Sequence, residues 1–407
     1  MTENKRVRSK GYMTYLVIFM GLIALTDQYL SLIETSAIGP IIAHFSISIN
    51  EFLFWQGIFG IAAFLVFLIS SFADVVGRKI GILFLVLIMS MSALLIGIVG
   101  DKNFWAFMGL YAVLILATNV NMWAIPISEE SPPKRRAFNG SMAFLIGLIP
   151  LYAFIDEPII NSLGWPWLYG IFGVFGFLSL ILWFFMKETH RWELNQIEFK
   201  ESAKIGKQVG KFRQLKKRDW GFVLLSGLTY VCWNTAFKIA TGTVADHFSS
   251  NLSYGTFYLI AGGSTILGAL TIGILMDKVG RIFAFIFSSV GAAIGYIIMA
   301  FSPSTGLVGL IGMIIVYFCM ACFLGFLLVY ISEMFDTKIR ATAVGFSLTL
   351  SRIGYVVGPL IASAIAPHYT ILYIVAAVIA LLPLLGLLVN KYESKGKQLE
   401  TIQEEIK

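Results

Sequence analysis

The stretch ISEESPPKRRA, residues 127–137, is echoed about two hundred residues later by ISEMFDTKIRA, residues 331–341. Each copy begins with Ile-Ser-Glu and ends with Arg-Ala. In the first copy Glu129 precedes Arg136 by seven residues, and the second copy keeps this spacing. Seven residues make about two turns if the segment is helical. The same acid–base pair therefore occurs twice in one chain.

A second motif recurs at nearly the same interval. The stretches FADVVGRKIG and LMDKVGRIFA both contain Asp-x-x-Gly-Arg, and they lie 203 residues apart. The Glu-x6-Arg pair recurs after 204 residues, at Glu333 and Arg340. Two motifs at almost one offset indicate a duplicated chain. We therefore predict an N-terminal half at 1–186, a polar cytoplasmic linker at 187–219 and a C-terminal half at 220–407.

The composition is that of a membrane protein. Hydrophobic residues make up 58% of the 407 and charged residues only 13%, with a mean hydropathy of +0.82. Soluble domains average roughly 45–50% apolar and about 25% charged residues, and a helix needs about 20 apolar residues to cross a bilayer. We predict an all-α membrane protein with twelve transmembrane helices, six in each half, near 13–40, 51–72, 80–99, 104–126, 138–160, 166–186, 220–245, 254–276, 282–302, 306–330, 342–366 and 369–390.

The basic residues give this map an orientation, because short cytoplasmic loops are rich in Lys and Arg. With both termini in the cytoplasm, 27 of the 30 Lys and Arg fall in cytoplasmic segments, and Lys102 alone falls in an outer loop. We therefore expect an integral protein of the plasma (inner) membrane, with the lipid bilayer as its partner. The net charge of +7 then reflects topology, and no nucleic-acid binding is expected. The basic N-terminus has no cleavage site, so we expect the first span to be retained.

Acidic residues inside the predicted spans are candidate functional residues, because a charge at the bilayer centre costs about 2.5–3.5 kcal/mol. Asp27 and Glu34 in the first span are seven residues apart and would share one helix face. Asp156 and Glu157 lie near the outer end of the fifth span, where we expect them at the lipid headgroups.

Two cations also lie within predicted spans, Lys238 in the seventh and Arg352 in the eleventh. Such cations beside a shared cavity favour an anionic substrate, since Arg can hold a carboxylate with two hydrogen bonds. The alternative is that they only neutralise Asp27 and Glu34. Polar and aromatic side chains that could line the same cavity, or only pack helices together, are Asn119, Asn121, Trp123, Trp233 and Asn234.

These motifs resemble those of the major facilitator superfamily over essentially the whole chain. Asp-x-x-Gly-Arg after the second and eighth spans matches a loop signature of that family. The two Ser-Glu…Arg stretches, with KETHRWEL (187–194) and GWPWLYGIFG (164–173), resemble its sugar porters and metabolite–proton symporters. The resemblance implies that charge clusters close the cytoplasmic side in the outward-open state, with contributions from Asp74, Gly77, Arg78, Glu129, Arg136, Asp277, Gly280, Arg281, Glu333 and Arg340.

Further resemblances bear on coupling and substrate. ETSAIG (34–39) is similar to the Asp-Thr-x-x-Ile-Gly pattern of sugar porters and aromatic-acid–proton symporters, whose acid is implicated in proton coupling. This implies proton coupling through Glu34, with Asp27 as the other candidate. SRIGYVVGPL (351–360) resembles the eleventh span of organic-acid symporters. The seventh span lacks the paired Gln with which sugar porters hold sugar hydroxyls, and the fourth lacks the Arg of many proton-coupled members.

We therefore expect a secondary active transporter that moves a small organic solute by alternating access as a monomer. A carboxylate or organic anion coupled to protons is the favoured substrate. The alternatives are sugar–proton symport, drug or metabolite efflux and, ranked last, a non-transporting ligand sensor. We find no phosphate-binding loop, nucleophile elbow or metal-ligand constellation in the sequence, so we expect no enzymatic activity, no cofactor and no metal.

Overall fold

The structure, a computed structural model, describes residues 8–118, 120–132, 136–149, 152–190, 192–194, 196–197, 216–248, 254–304, 307–335, 340–389, 391–395, 397 and 404–405. Within these ranges the regular structure is helical and no strand occurs. Two 3-10 helices, Gly60–Leu65 and Leu382–Leu388, accompany the α-helices. The α-helices are α1 Lys10–Leu32, α2 Glu34–Phe45, α3 Ile49–Phe59, α4 Val66–Val76, α5 Arg78–Val99, α6 Phe104–Ala117, α7 Ala124–Glu130, α8 Arg136–Gly147, α9 Tyr152–Leu163, α10 Trp167–Trp183, α11 Lys217–Phe248, α12 Tyr254–Lys278, α13 Arg281–Ala300, α14 Leu307–Glu333, α15 Arg340–Ser351, α16 Ile353–Ile365 and α17 Tyr369–Leu381.

The all-α membrane fold predicted from composition is confirmed. In the described part of the chain, eight helices are long and apolar enough to cross a bilayer. Two bent helix pairs bring the number to ten if each counts as one span. The twelve predicted spans exceed this number because some of the predicted spans are interrupted. For example, α6 ends at Ala117, and Thr118 then adopts an extended backbone with ψ 156°.

Contacts divide the chain into two compact units. The N-terminal unit comprises Met1–Ala37 and Ala62–Gln208, and the C-terminal unit comprises Ile38–Ile61 and Val209–Lys407. The segment Ile38–Ile61, which includes α3, therefore packs with the C-terminal unit. Each unit brings together helices that are far apart in the sequence.

In the N-terminal unit, α5 packs closely along α10. A Cβ atom built on Gly97 would lie 2.7 Å from the Cα atom of Gly170, so the helices approach each other where neither has a side chain. Small residues allow such close backbone packing in membrane helices. The Tyr29 ring of α1 stacks on Phe172 of α10 with a centroid distance of 3.5 Å, which fixes α1 against the same helix.

The C-terminal unit uses glycine in the same way. A Cβ on Gly295 of α13 would lie 2.8 Å from the carbonyl oxygen of Gly312 in α14, which allows these helices to pack closely. Elsewhere in the C-terminal unit, α3 packs on α16. There the Asn50 side chain donates to the carbonyl of Ala366 over 2.5 Å, and the Ser363 hydroxyl donates to the carbonyl of Asn50 over 2.6 Å.

Candidate functional site

The first repeated motif forms a tight turn between α4 and α5. Gly77 joins these helices with φ +114°, a backbone conformation that strongly favours glycine. The carboxylate of Glu188 lies across the turn and accepts hydrogen bonds from the backbone N–H groups of Arg78 (2.9 Å) and Lys79 (3.2 Å). A carboxylate at the first N–H groups of a helix satisfies donors that have no partner within the helix. Glu188 therefore caps α5 from a segment more than a hundred residues away.

The side chain at the start of α5 pairs with the second repeated motif. Arg78 Nη2 lies 3.2 Å from Glu129 Oε1 on α7. The other oxygen of Glu129 accepts a hydrogen bond from the Thr189 hydroxyl over 2.5 Å. The turn, α7 and the segment after α10 are thus joined by one cluster, which we call the N-terminal cluster: Gly77, Arg78, Glu129, Glu188 and Thr189.

The C-terminal unit contains the same arrangement, which we call the C-terminal cluster: Gly280, Arg281, Glu333, Glu393 and Ser394. Gly280 has φ +143°, and the Glu393 carboxylate accepts from the backbone N–H of Arg281 over 2.9 Å. Arg281 Nη2 lies 3.1 Å from Glu333 Oε1. The Ser394 hydroxyl donates to Glu333 Oε2 over 2.6 Å. Both repeated motifs therefore build one cluster in each unit.

Two members of each cluster escaped the sequence analysis. Glu188 and Thr189 lie in the stretch noted only for its resemblance, and Glu393 and Ser394 were not identified at all. Glu393 follows Glu188 by 205 residues, and Ser394 follows Thr189 by the same number, which is close to the offset of the other motifs. This offset is the signal that would have found them, because it places an acidic residue followed by a hydroxyl residue after the sixth and twelfth spans.

Electrostatics hold Glu393 in its ionised form. Burial alone would raise the pKa of its carboxyl group, but hydrogen bonds from the backbone N–H groups of Arg281, Ile282 and Lys395 outweigh it, and the Arg281 charge adds to them. The pKa of Glu393 is therefore lowered from its usual value. The carboxylate is matched to the positive end of α13 and to its Arg281 side chain.

Some predicted gate residues lie at the margin of these clusters or beyond the described part of the chain. Asp277 forms an ion pair with Arg281 over 3.1 Å, although its own side chain is 79% exposed. The side chains of Asp74, Arg136 and Arg340 are outside the described residues. Their part in the clusters stays a prediction.

The N-terminal cluster has an additional contact that the sequence analysis missed. Arg8 Nε lies 2.6 Å from Glu130 Oε2, and Arg8 Nη2 donates to the carbonyl of Glu188 over 2.8 Å. The backbone N–H of His190 donates to the other oxygen of Glu130 over 2.6 Å. Burial tends to lower the pKa of Arg8, but the hydrogen bond and charge of Glu130 outweigh it and raise the pKa. The chain before α1 is thereby fastened to the start of the linker.

The predicted acids of the first span are buried at a break in the helix. Asp27 and Glu34 are 1% and 3% exposed. α1 ends at Leu32 and α2 begins at Glu34, so the Glu34 side chain lies in the first turn of α2. It accepts a hydrogen bond from the hydroxyl of Tyr111 on α6. Broken helices in transporters place polar groups at such positions.

Asp156 corrects an expectation. We predicted that it would lie with Glu157 at the lipid headgroups, but Asp156 is fully buried in the N-terminal unit, whereas Glu157 is exposed. Adjacent residues on α9 point in different directions because successive side chains are about 100° apart on a helix. The hydrophobic pattern alone did not show which of the two carboxylates faces inward.

The predicted cations meet in the C-terminal unit. Lys238 on α11 is 9% exposed, and Arg352, which precedes α16, is 6% exposed. Lys238 Nζ lies 4.9 Å, and Arg352 Cζ 5.2 Å, from the ring centre of Tyr355. The helices α11 and α16 can approach closely here because α16 has Gly358 at their contact. A Cβ atom on Gly358 would lie 2.8 Å from Lys238 Cβ. One aromatic ring thus contacts both cations.

The remaining predicted lining residues have different surroundings. Asn234 is buried and donates to the carbonyl of Ser351 over 3.0 Å, next to the cations. Trp233 donates its indole N–H to the carbonyl of Met320 over 2.8 Å, which ties it to α14. Trp123 is buried against Phe144, whereas Asn121 is exposed with φ +53°. Asn119 lies outside the described residues.

The Major Facilitator Superfamily model matches residues 17–327 and 223–405, and the two matches together cover most of the chain. The chain belongs to the Major Facilitator Superfamily. This confirms the resemblance found in the repeated motifs and the fold that it implied. The protein is therefore a transporter of sugar or metabolite type for small molecules, embedded in a membrane, and it is not an enzyme.

Individual relatives differ in what their names state. The glucose transporter GlcP of Staphylococcus epidermidis is 23% identical over 82% of this chain and 84% of its own. The cis,cis-muconate transport protein of Acinetobacter baylyi is 24% identical over 64% of this chain and 63% of its own. The partially occluded inward-open structure of the xylose transporter XylE from Escherichia coli superposes with a TM-score of 0.72, at 14% identity over 96% of this chain and 100% of that one. This likeness shows the shared fold.

Proposed function

We propose that this transporter carries a small organic anion together with protons by alternating access. The proposed substrate class rests on two buried cations, Lys238 and Arg352, which both contact the ring of Tyr355. Buried charges in membrane proteins mark substrate or ion pathways. A guanidinium offers a carboxylate two parallel hydrogen bonds, so Arg352 is the residue we assign to the anion.

We assign proton coupling to Glu34, with Asp27 as the other candidate. Glu34 is a buried carboxylate at the break between α1 and α2, and its hydrogen-bond partner Tyr111 comes from α6. A movement of α1 or α2 against α6 would change that contact. A proton on Glu34 can therefore be linked to the conformation of the N-terminal unit.

We assign the switching of the cytoplasmic side to the two clusters. Each one fastens the turn after a membrane helix to a second helix and to the segment that follows the sixth or twelfth span. We also propose, with the sequence analysis, two halves at 1–186 and 220–407 joined by the linker 187–219, cytoplasmic termini, a location in the plasma membrane and a monomeric transporter.

Sugar–proton symport is the second candidate, because XylE, whose structure is similar, is a proton:xylose symporter and the relative GlcP is named a glucose transporter. The cations and the absence of paired Gln in the seventh span favour the anion instead. Efflux and ligand sensing without transport remain alternatives that an uptake assay separates.

Uptake of radiolabelled muconate and benzoate, compared with glucose and xylose, into proteoliposomes tests the substrate class. We expect uptake of an anion, with Arg352→Gln and Lys238→Gln weakening its affinity by about tenfold to a hundredfold, as expected for loss of a charged hydrogen bond. Lys102→Gln, which removes the same charge from an exposed loop residue, should leave uptake unchanged. Uptake of sugars alone, unaffected by these substitutions, would refute the anion proposal.

A further inference from the structure

Asp156 is a buried acid for which the sequence motifs assign no role. It lies on α9, its side chain is fully buried, and one of its oxygens accepts a hydrogen bond from the backbone N–H of Glu157 over 2.7 Å. The other oxygen, Oδ2, has no hydrogen-bond partner among the described residues. In that part of the chain no Lys, Arg or His forms an ion pair with Asp156.

The neighbours of Asp156 are hydroxyl groups from other helices. Tyr29 approaches from α1 and donates its own hydroxyl to the carbonyl of Leu168. Ser36 approaches from α2, close enough to interact with the carboxyl group. Among the described residues, no group forms a hydrogen bond with the Ser36 oxygen. Within the described ranges, the charged group that acts on the Asp156 carboxyl is Glu157 on the same helix, and it carries the same sign as an ionised Asp156.

α10, which packs against α9, contains no Lys, Arg or His. Tyr169 on α10 has a buried hydroxyl that lies near Tyr29 and Glu34 and has no hydrogen-bond partner in the described part of the chain. Among the described residues, the groups placed near Asp156 are therefore hydroxyl groups and a carboxylate of like charge. An ionised carboxylate buried without a cation is far less stable than a neutral carboxylic acid.

We propose that Asp156 is a second proton-binding carboxyl group of the N-terminal unit, in addition to Glu34. In the conformation seen here a proton occupies Oδ2, and we assign the Ser36 oxygen, which lies close to the carboxyl group, as the acceptor for its O–H. The proton is taken from water on one side of the membrane and released as Asp156 becomes ionised on the other. The link to transport rests on the proposed proton coupling, whereas the occupied proton site stands independently of it.

The backbone around Asp156 allows the site to open. Pro158 lies within α9 and has no N–H, so the carbonyl of Phe154 loses its helical partner. Ser36 lies just after the break between α1 and α2. Helices bend at prolines and at interruptions of this kind. Separation of α2 from α9 at these points would remove Ser36 from Asp156 and admit water to the carboxyl group.

A second proton site also bears on charge balance. Symport of one monovalent anion with one proton moves no net charge, whereas two protons move one positive charge inward with each anion. Glu34 and Asp156 together provide two buried carboxyl groups in one unit. The proposal therefore deepens the assignment of anion–proton symport by supplying a place for the second proton.

Infrared difference spectroscopy of the purified protein in lipid at neutral pH tests the proposal without any substrate. We expect a carbonyl-stretch band of a protonated carboxylic acid that is present in the native protein, absent in Asp156→Asn and retained in Glu157→Gln. In D2O the band should shift as the proton exchanges. A band that Asp156→Asn does not reduce, or one that never shifts in D2O, would overturn the proposal.

A second variant protects this test against misfolding of Asp156→Asn. Ser36→Ala keeps the acid but removes its hydrogen-bond acceptor, so we expect the same band at a higher frequency. An unchanged band in Ser36→Ala would contradict the placement of the proton. If the band behaves as expected while anion uptake fails, the proton site holds and the proposed substrate class is wrong. If anion uptake succeeds but the band is absent, the proposed substrate class holds and the proton site at Asp156 is wrong.

Discussion

Ser394 donates its hydroxyl hydrogen to Glu333 Oε2 across 2.6 Å. Thr189 makes the same contact with Glu129 across 2.5 Å in the N-terminal unit. Residues after α10 and after the 3-10 helix Leu382–Leu388 therefore complete two clusters whose other members the repeated motifs had indicated. The duplication extends to single hydrogen bonds, and it links the segment after the last span of each half to the turn at Gly77 or Gly280.

Removal of the capping carboxylates should weaken both units. We expect Glu188→Gln and Glu393→Gln each to destabilise the protein by about 1–2 kcal/mol, as loss of a helix cap does, because backbone N–H groups at the start of α5 or α13 lose a charged acceptor. Thermal unfolding of the purified variants measures this. Glu404→Gln, which changes an exposed residue, should unfold as the native protein does. Equal stability of all three variants would mean that the caps contribute nothing.

Attachment of the C-terminal segment should depend on pH in the acidic range. The pKa of Glu393 is lowered in the folded protein from its usual value of 4.5, so its contribution is complete above that value and is lost as the pH falls through the lowered pKa. Hydrogen exchange at the backbone N–H groups of Arg281 and Ile282, measured from pH 6 downwards and corrected for the intrinsic rate, should therefore increase only as the pH falls below 4.5. In Glu393→Gln the exchange should be fast at all these pH values. Equal protection of these N–H groups in the native protein and in Glu393→Gln at pH 6 would contradict this assignment.

The glycines of the two turns should tolerate no side chain. Gly77→Ala and Gly280→Ala place a Cβ where φ is positive, which costs about 1–2 kcal/mol. The Cβ on Gly280 would also lie 2.8 Å from Glu393 Oε2. We expect each variant to unfold at a lower temperature and to release the capping carboxylate. Gly109→Ala is the matched control, because it lies in α6 with nothing within 4 Å of a Cβ. It should be neutral or slightly stabilising, and a loss of stability as large as that of Gly280→Ala would count against strain at the turn.

The sequence predicted the helical membrane fold, the family and the core of both clusters, because hydropathy and repeated spacing report directly on these features. It did not predict where the first half breaks. The interruptions after Leu32 and Ala117 fall inside two stretches, 13–40 and 104–126, that the hydropathy map treats as single continuous spans. Nor could it show that Asp156 faces inward, since burial depends on neighbours such as Tyr29 and Ser36 from other helices. Glu393 was missed because its partners lie 112 residues away in the chain.

The central claim is that an organic anion and protons move together, and a pH-sensitive dye trapped inside proteoliposomes tests it most directly. Addition of muconate or benzoate outside should acidify the interior beyond the change in protein-free liposomes, whether or not net charge moves. We expect Glu34→Gln to reduce this acidification and Glu157→Gln, which changes an exposed acid, to preserve it. Acidification on addition of glucose or xylose but not of the anions, or acidification by the anions that Glu34→Gln leaves undiminished, would contradict the account.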